Sequence, residues 1–192
     1  MKRKSLIFVL VCIFYLSCQY TLAQISEGGK PISFALGIET LEIPALEMPL
    51  VNVKALLEED ENTKTEDTQR PFRFGYVIDV DIDIKKAGVQ KQLLNGDRLW
   101  ILKMHSFDAY SINLIYDRFR LGKGSKFFVY NEDKTMILGA FTPEVSNNTY
   151  NEFATDLVQG NTIVLEYYEP EFSNDGIIHI SKVIPFAELR DN

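Results

Sequence analysis

The stretch Phe72-Arg73-Phe74-Gly75-Tyr76-Val77-Ile78-Asp79-Val80-Asp81-Ile82-Asp83-Ile84 decides the fold class. Successive side chains of a strand point to opposite faces, so Phe74, Tyr76, Ile78, Val80, Ile82 and Ile84 form one apolar face. Asp79, Asp81 and Asp83 fall on the other. This predicts a long strand with one face on a core and one face in water.

The same period continues toward the C-terminus. Asn95-Gly96 joins Val89–Leu94 to Asp97–His105, and both residues accept the positive φ that a tight hairpin turn requires. Tyr110, Ile112, Leu114 and Tyr116 alternate with Ser111, Asn113 and Asp117. Gly122-Lys123-Gly124 then turns the chain into a strand at Lys126–Tyr130, and Asn131–Lys134 turns it into another at Thr135–Thr142. Thr162–Tyr168, entered through Gln159-Gly160-Asn161, and Gly176–Ile184 complete the set. About eight short strands with polar turns predict an all-β antiparallel sandwich of jelly-roll type over residues 71–192.

Residues 24–70 read as an extended leader and acidic linker. Pro31, Pro44 and Pro49 interrupt the apolar residues Phe34, Leu36, Ile38, Leu41, Ile43, Leu46 and Met48, which suit extended chain lying on another surface. A short helix is expected near Val53–Asp60. The acidic run Glu58–Glu61 reads as a solvated linker.

At the N-terminus, Lys2, Arg3 and Lys4 precede the apolar run Leu6–Leu16, the pattern of a secretory signal over residues 1–23. Thr21-Leu22-Ala23 predicts cleavage between Ala23 and Gln24. A lipoprotein box at Tyr15-Leu16-Ser17-Cys18, with Cys18 acylated, is the competing reading. The expected localisation is therefore export, to the periplasm or the medium, with lipid anchoring only under that competing reading. Cys12 and Cys18 are the only cysteines, so cleavage removes every thiol and with it disulfides, thiolate zinc sites and cysteine nucleophiles. Removal of the signal's three basic residues leaves 17 basic against 27 acidic residues, an excess that argues against nucleic acid and anionic membrane as partners.

Catalytic chemistry finds little purchase here. A serine protease needs a serine, a histidine base and an aspartate, with a glycine-rich turn around the serine. The two histidines, His105 and His179, lie within strand patterns, and Gly122–Ser125 reads as a turn. Asp79, Asp81 and Asp83, roughly 6.6 Å apart along one face, are the best candidates to share a Ca²⁺ with loop oxygens. The same alternation equally serves solubility on the wet side of a strand. Tyr110, Tyr116, Phe127, Phe128, Tyr130, Tyr167 and Tyr168 suit a sandwich core better than a carbohydrate platform. No cofactor is expected.

Several strings carry a family resemblance. Arg73–Tyr76, Asn95–Trp100, Ala109–Leu114, Lys126–Glu132, Gly139–Thr142 and Asp156–Val158 through Leu165–Pro170, together with Lys30–Phe34 and Leu56–Asp60, resemble the N-terminal prosegment of bacterial secreted trypsin-like proteases of the lysyl endopeptidase type. The match runs in order over nearly the whole chain after the signal. The resemblance implies a precursor region that assists folding of a trypsin-like serine protease domain or restrains its activity. In that family the chain continues from the counterpart of Ser181–Ile184 into the protease body; here Pro185–Asn192 follow, without the triad. The expected role is therefore an exported, non-catalytic domain acting by protein contacts. A carbohydrate- or ligand-binding module and a fragment of a protease gene are the alternatives.

Overall fold

The computed structural model describes residues 26–50, Glu58 and 75–186. The signal segment with Cys12, Cys18, Ala23 and Gln24, the acidic linker and the expected helix at 53–60 lie outside the described residues, apart from Glu58, which is helical.

In chain order the elements are α1 (Ile32–Leu36), β1 (Ala45–Glu47), β2 (Ile78–Asp83), α2 (Ile84–Ala87), β3 (Val89–Gln92), β4 (Arg98–His105), β5 (Ser111–Arg120), β6 (Lys126–Asn131), β7 (Ile137–Phe141), α3 (Pro143–Ser146), β8 (Phe153–Ala154), β9 (Val158–Gln159), β10 (Thr162–Glu169) and β11 (Ile177–Phe186). They form two sheets. Sheet A runs β4-β10-β6-β7, with β1 and β3 sharing the outer side of β4. Sheet B runs β2-β11-β5, with β8 and β9 along the outer side of β5.

The pairing is nested: β2 with β11, β4 with β10, β5 with β8 and β6 with β7, all antiparallel. A long hairpin paired in this way and wound around itself is a jelly roll, as the strand count and turns predicted. The Asn95-Gly96 hairpin forms as expected: β3 pairs with β4, and Gly96 sits at φ +86°, where a glycine is strain-free. The strand predicted over Phe72–Ile84 stops earlier. Asp83 accepts the Lys85 N–H at 2.9 Å and caps α2, which turns Ile84 into the core.

Between the sheets lie Ile78, Leu102, Met104, Ile112, Leu114, Ile163, Leu165, Ile180 and Val183. Tyr116, Phe119, Phe127, Phe141 and Phe153 pack there as an aromatic group, edge-on for Tyr116 and Phe127 (5.9 Å between centroids) and stacked for Phe119 and Phe153 (4.2 Å). The Tyr116 hydroxyl is buried among them without a hydrogen-bond partner, and burial pushes its pKa up.

Sheet A is covered on its second face as well. Leu99, Ile101, Phe128, Tyr130, Ala140 and Val164 form a separate cluster under Ile32, Phe34, Ile38 and Ile43 of the leader. The leader crosses the sheet from edge to edge. It exchanges the bonds Glu27 N–H to Ala140 O (2.8 Å) and Ala140 N–H to Gly28 O (2.9 Å) at β7, and ends as β1, parallel to β4. Phe34, Ile38 and Ile43 thus do lie on another surface, the domain's own sheet, whereas Leu36, Leu41 and Leu46 remain exposed. Over Ile32–Leu36 the course is helical where extended chain was expected, closed by Gly37 in the left-handed region.

Glu166 fixes that helix. It is fully buried on β10 and accepts the N–H groups of Ile32 (2.5 Å) and Ser33 (3.1 Å), the Ser33 hydroxyl (2.5 Å) and the Tyr130 hydroxyl (3.3 Å). Burial raises its pKa, and these donors oppose the rise by stabilising the carboxylate.

Two variants test this packing. Glu166→Ala leaves buried donors unpaired, so it should lower stability by about 2–4 kcal/mol in urea unfolding and expose residues 26–50 to limited proteolysis. Tyr116→Phe deletes a hydroxyl that bonds to nothing, so it should leave stability unchanged or raise it by up to about 1 kcal/mol.

Candidate functional site

The outer face of sheet B carries a built polar cluster. Register shifts interrupt its ladders near the middle of β11: Val80 and Asp81 both face Ser181 across the β2 pairing, and Asp117 is the extra residue of β5 between Arg118 and Tyr116. Such bulges re-aim side chains. Here they bring Asp81 and Asp117 to opposite nitrogens of His179, whose Nδ1 lies 2.5 Å from Asp117 Oδ1 and whose Nε2 lies 2.6 Å from Asp81 Oδ1. The His179 side chain is 7% exposed, whereas the side chains of Asp117 and Asp81 are 49% and 95% exposed.

Burial alone would lower the His179 pKa, but the hydrogen bonds to Asp117 and Asp81 outweigh it and the net direction is upward. The bond from His179 in turn holds Asp117 below the usual carboxylate range. Stability contributed by the raised histidine is present in full below roughly pH 6.5 and is lost as pH rises through its folded pKa. Stability contributed by the depressed aspartate is present above roughly pH 3.9 and is lost on acidification.

The three aspartates singled out by alternation lie on one strand and have separate partners. Asp79 pairs with Lys182 at 2.6 Å, Asp81 meets His179, and Asp83 caps α2. Among the described residues, no group of three or more His, Cys, Asp or Glu is placed to hold a metal.

His105 sits opposite Thr162 in the β4–β10 register, its Nδ1 2.8 Å from the Thr162 hydroxyl. Gly122–Ser125 is a turn, and the Ser125 hydroxyl donates to Gly122 O at 2.6 Å. Among the described residues, the ring nitrogens of His105 and His179 bond to a threonine hydroxyl and to carboxylates, and to no serine hydroxyl. Of the aromatic residues considered for a ligand platform, Tyr116, Phe127, Phe128, Tyr130 and Tyr167 are buried in the packing, while Tyr110 is 64% exposed.

Two features escaped sequence reading. Glu169, at the end of β10, is buried and accepts from Lys85 Nζ (2.8 Å), an Arg98 guanidinium nitrogen (3.1 Å), the Tyr167 hydroxyl (2.9 Å) and Gly176 N–H (3.3 Å). Gly176 is required there, because a Cβ would meet the Tyr167 hydroxyl at 1.8 Å. The second feature is a polar cleft of about 460 Å³ between the β6–β7 turn and the β9–β10 turn, lined by Asn131, Glu132, Asp133, Gln159, Asn161 and Thr162 among others. The turn residues at 131–134 and 159–161 were legible as turns. That the two turns meet was not.

No family model matches the chain, and a search of curated proteins finds no match. Among solved structures, the isomalto-dextranase of Arthrobacter globiformis T6 in complex with panose matches with 12% identity and a TM-score of 0.24, over 51% of this chain and 18% of that one. At that level it bears on neither fold nor function.

Glu169→Gln should lower stability by about 2–3 kcal/mol, because it strands the partly buried cations Lys85 and Arg98. Urea unfolding with an unchanged m value checks this.

Proposed function

We propose that this chain is an exported, non-catalytic, prosegment-like domain of a lysyl endopeptidase-type serine protease precursor, acting on a trypsin-like protease domain by contact, as folding aid or inhibitor. One observation carries the reading. The strings that resemble such prosegments are not a local motif: they fall in the first part of α1, the turn before β4 and the start of β4, the start of β5, β6, the end of β7 and the end of β10. The resembling strings therefore fall in the leader, in several strands of sheet A and at the start of β5 in sheet B.

The contact surface follows from what the fold leaves open. Ile32, Phe34, Ile38 and Ile43 of the leader are engaged on sheet A and so are not free to dock. Phe107 and Tyr110, 61% and 64% exposed in the β4–β5 loop, stand beside the β9–β10 turn, joined to it by Ser106 N–H to Asn161 O and Gly160 N–H to Tyr110 O. Exposed aromatic side chains of this kind anchor protein interfaces.

The test is refolding of a denatured lysyl endopeptidase catalytic domain with and without the purified chain, alongside inhibition of the folded enzyme. Recovered activity should rise or folded activity should fall, and Phe107→Ala with Tyr110→Ala should weaken the effect about tenfold. No effect in either assay overturns the reading.

A carbohydrate- or ligand-binding module is the second reading, favoured by the side-chain amides and carboxylates that line the polar cleft. Glycan-array binding abolished by Gln159→Ala and Asn161→Ala would support it instead.

A further inference from the structure

We propose that the Asp81–His179–Asp117 bridge is a proton-dependent lock on the edge strand β2. The argument starts from donor counting. A neutral imidazole has one N–H, whereas here each ring nitrogen faces a carboxylate oxygen, at 2.5 and 2.6 Å. Only the imidazolium form donates to both. In that state β2, β11 and β5 are tied together by one side chain, across the place where both ladders of β11 lose their register.

β2 depends on such a tie. Among the described residues it pairs with β11 alone, and its ladder is broken opposite Ser181. Loss of one ring proton leaves a single N–H. Asp117 keeps it, being the more buried carboxylate, and Asp81, 95% exposed, is released to water. Strand β2 then retains its backbone ladder and the Asp79–Lys182 pair, without its link to β5.

The other charged groups around the ring come from the same three strands. Arg118 of β5 stands opposite His179 in the register and opposes its protonation. Asp83 of β2, the register partner on the other side, is committed to capping α2, and Lys182 of β11 to Asp79. Against the two carboxylates, Asp81 and Asp117, the imidazolium therefore meets one like charge, that of Arg118. The lock is a property of this sheet and does not depend on what the domain binds.

The test follows ring ¹⁵N shifts of His179 and amide exchange in the purified chain between pH 5 and 9. Both ring nitrogens should still be protonated above pH 6.5, with the midpoint raised above the ordinary histidine value. Protection of the β2 amides, normalised to those of β10, should fall about tenfold across that titration. Asp81→Ala and His179→Gln should make β2 protection low and independent of pH, whereas Lys182→Ala should lower it without changing its pH profile. A His179 midpoint at or below 6.5, or β2 protection that stays constant through the wild-type titration, overturns the proposal. The wild-type titration decides the matter even if a variant fails to fold.

Discussion

Glu166 places a carboxylate in the middle of β10, between Ile101 of β4 and Phe128 of β6, on a largely apolar sheet face. A charge in that position is tolerable only if every acceptor direction is filled. The donors come from far away in sequence: two backbone N–H groups at the start of α1, the Ser33 hydroxyl and, from the sheet itself, Tyr130. Holding α1 there fixes the path of the leader. That path covers the outer face of sheet A and pairs with β7 at one edge and β4 at the other.

The two sheets therefore live in different solvents. Sheet A is dry on both faces, with its edges occupied by chain from the leader. Sheet B is dry on one face and wet on the other, and its free edge β2 is guarded by a bulge and by outward aspartates, features that oppose indiscriminate strand pairing. On that wet face, side chains of neighbouring strands pair: Lys182 meets Asp79, and His179 meets Asp81 and Asp117.

Much of this division can be read in the chain. Leu99-Trp100-Ile101-Leu102, Phe127-Phe128-Val129-Tyr130 and Ile163-Val164-Leu165 are unbroken apolar runs, the pattern of strands buried on both faces, whereas Ile112, Leu114 and Tyr116 alternate with polar residues as in a half-wet strand. The turns at Asn95-Gly96 and Gln159–Asn161 fall where their residue types require them. The nested pairing that makes the jelly roll follows from the order of these strands once each must bury its apolar face.

Local pattern, acting over a few residues, determined the strands, their inward faces, the hairpin and the acidic character of the surface, since each depends on side-chain period or on backbone freedom at single positions. What only tertiary structure decided is every feature that joins distant residues: Glu166 with α1, Glu169 with Lys85 and Arg98, and His179 with Asp81 and Asp117. In a regular ladder His179 would face Asp83 and Arg118 alone. It reaches Asp81 and Asp117 because bulges in adjacent ladders add residues opposite Ser181 and beside Arg118, and such shifts are set by how the strands pack together.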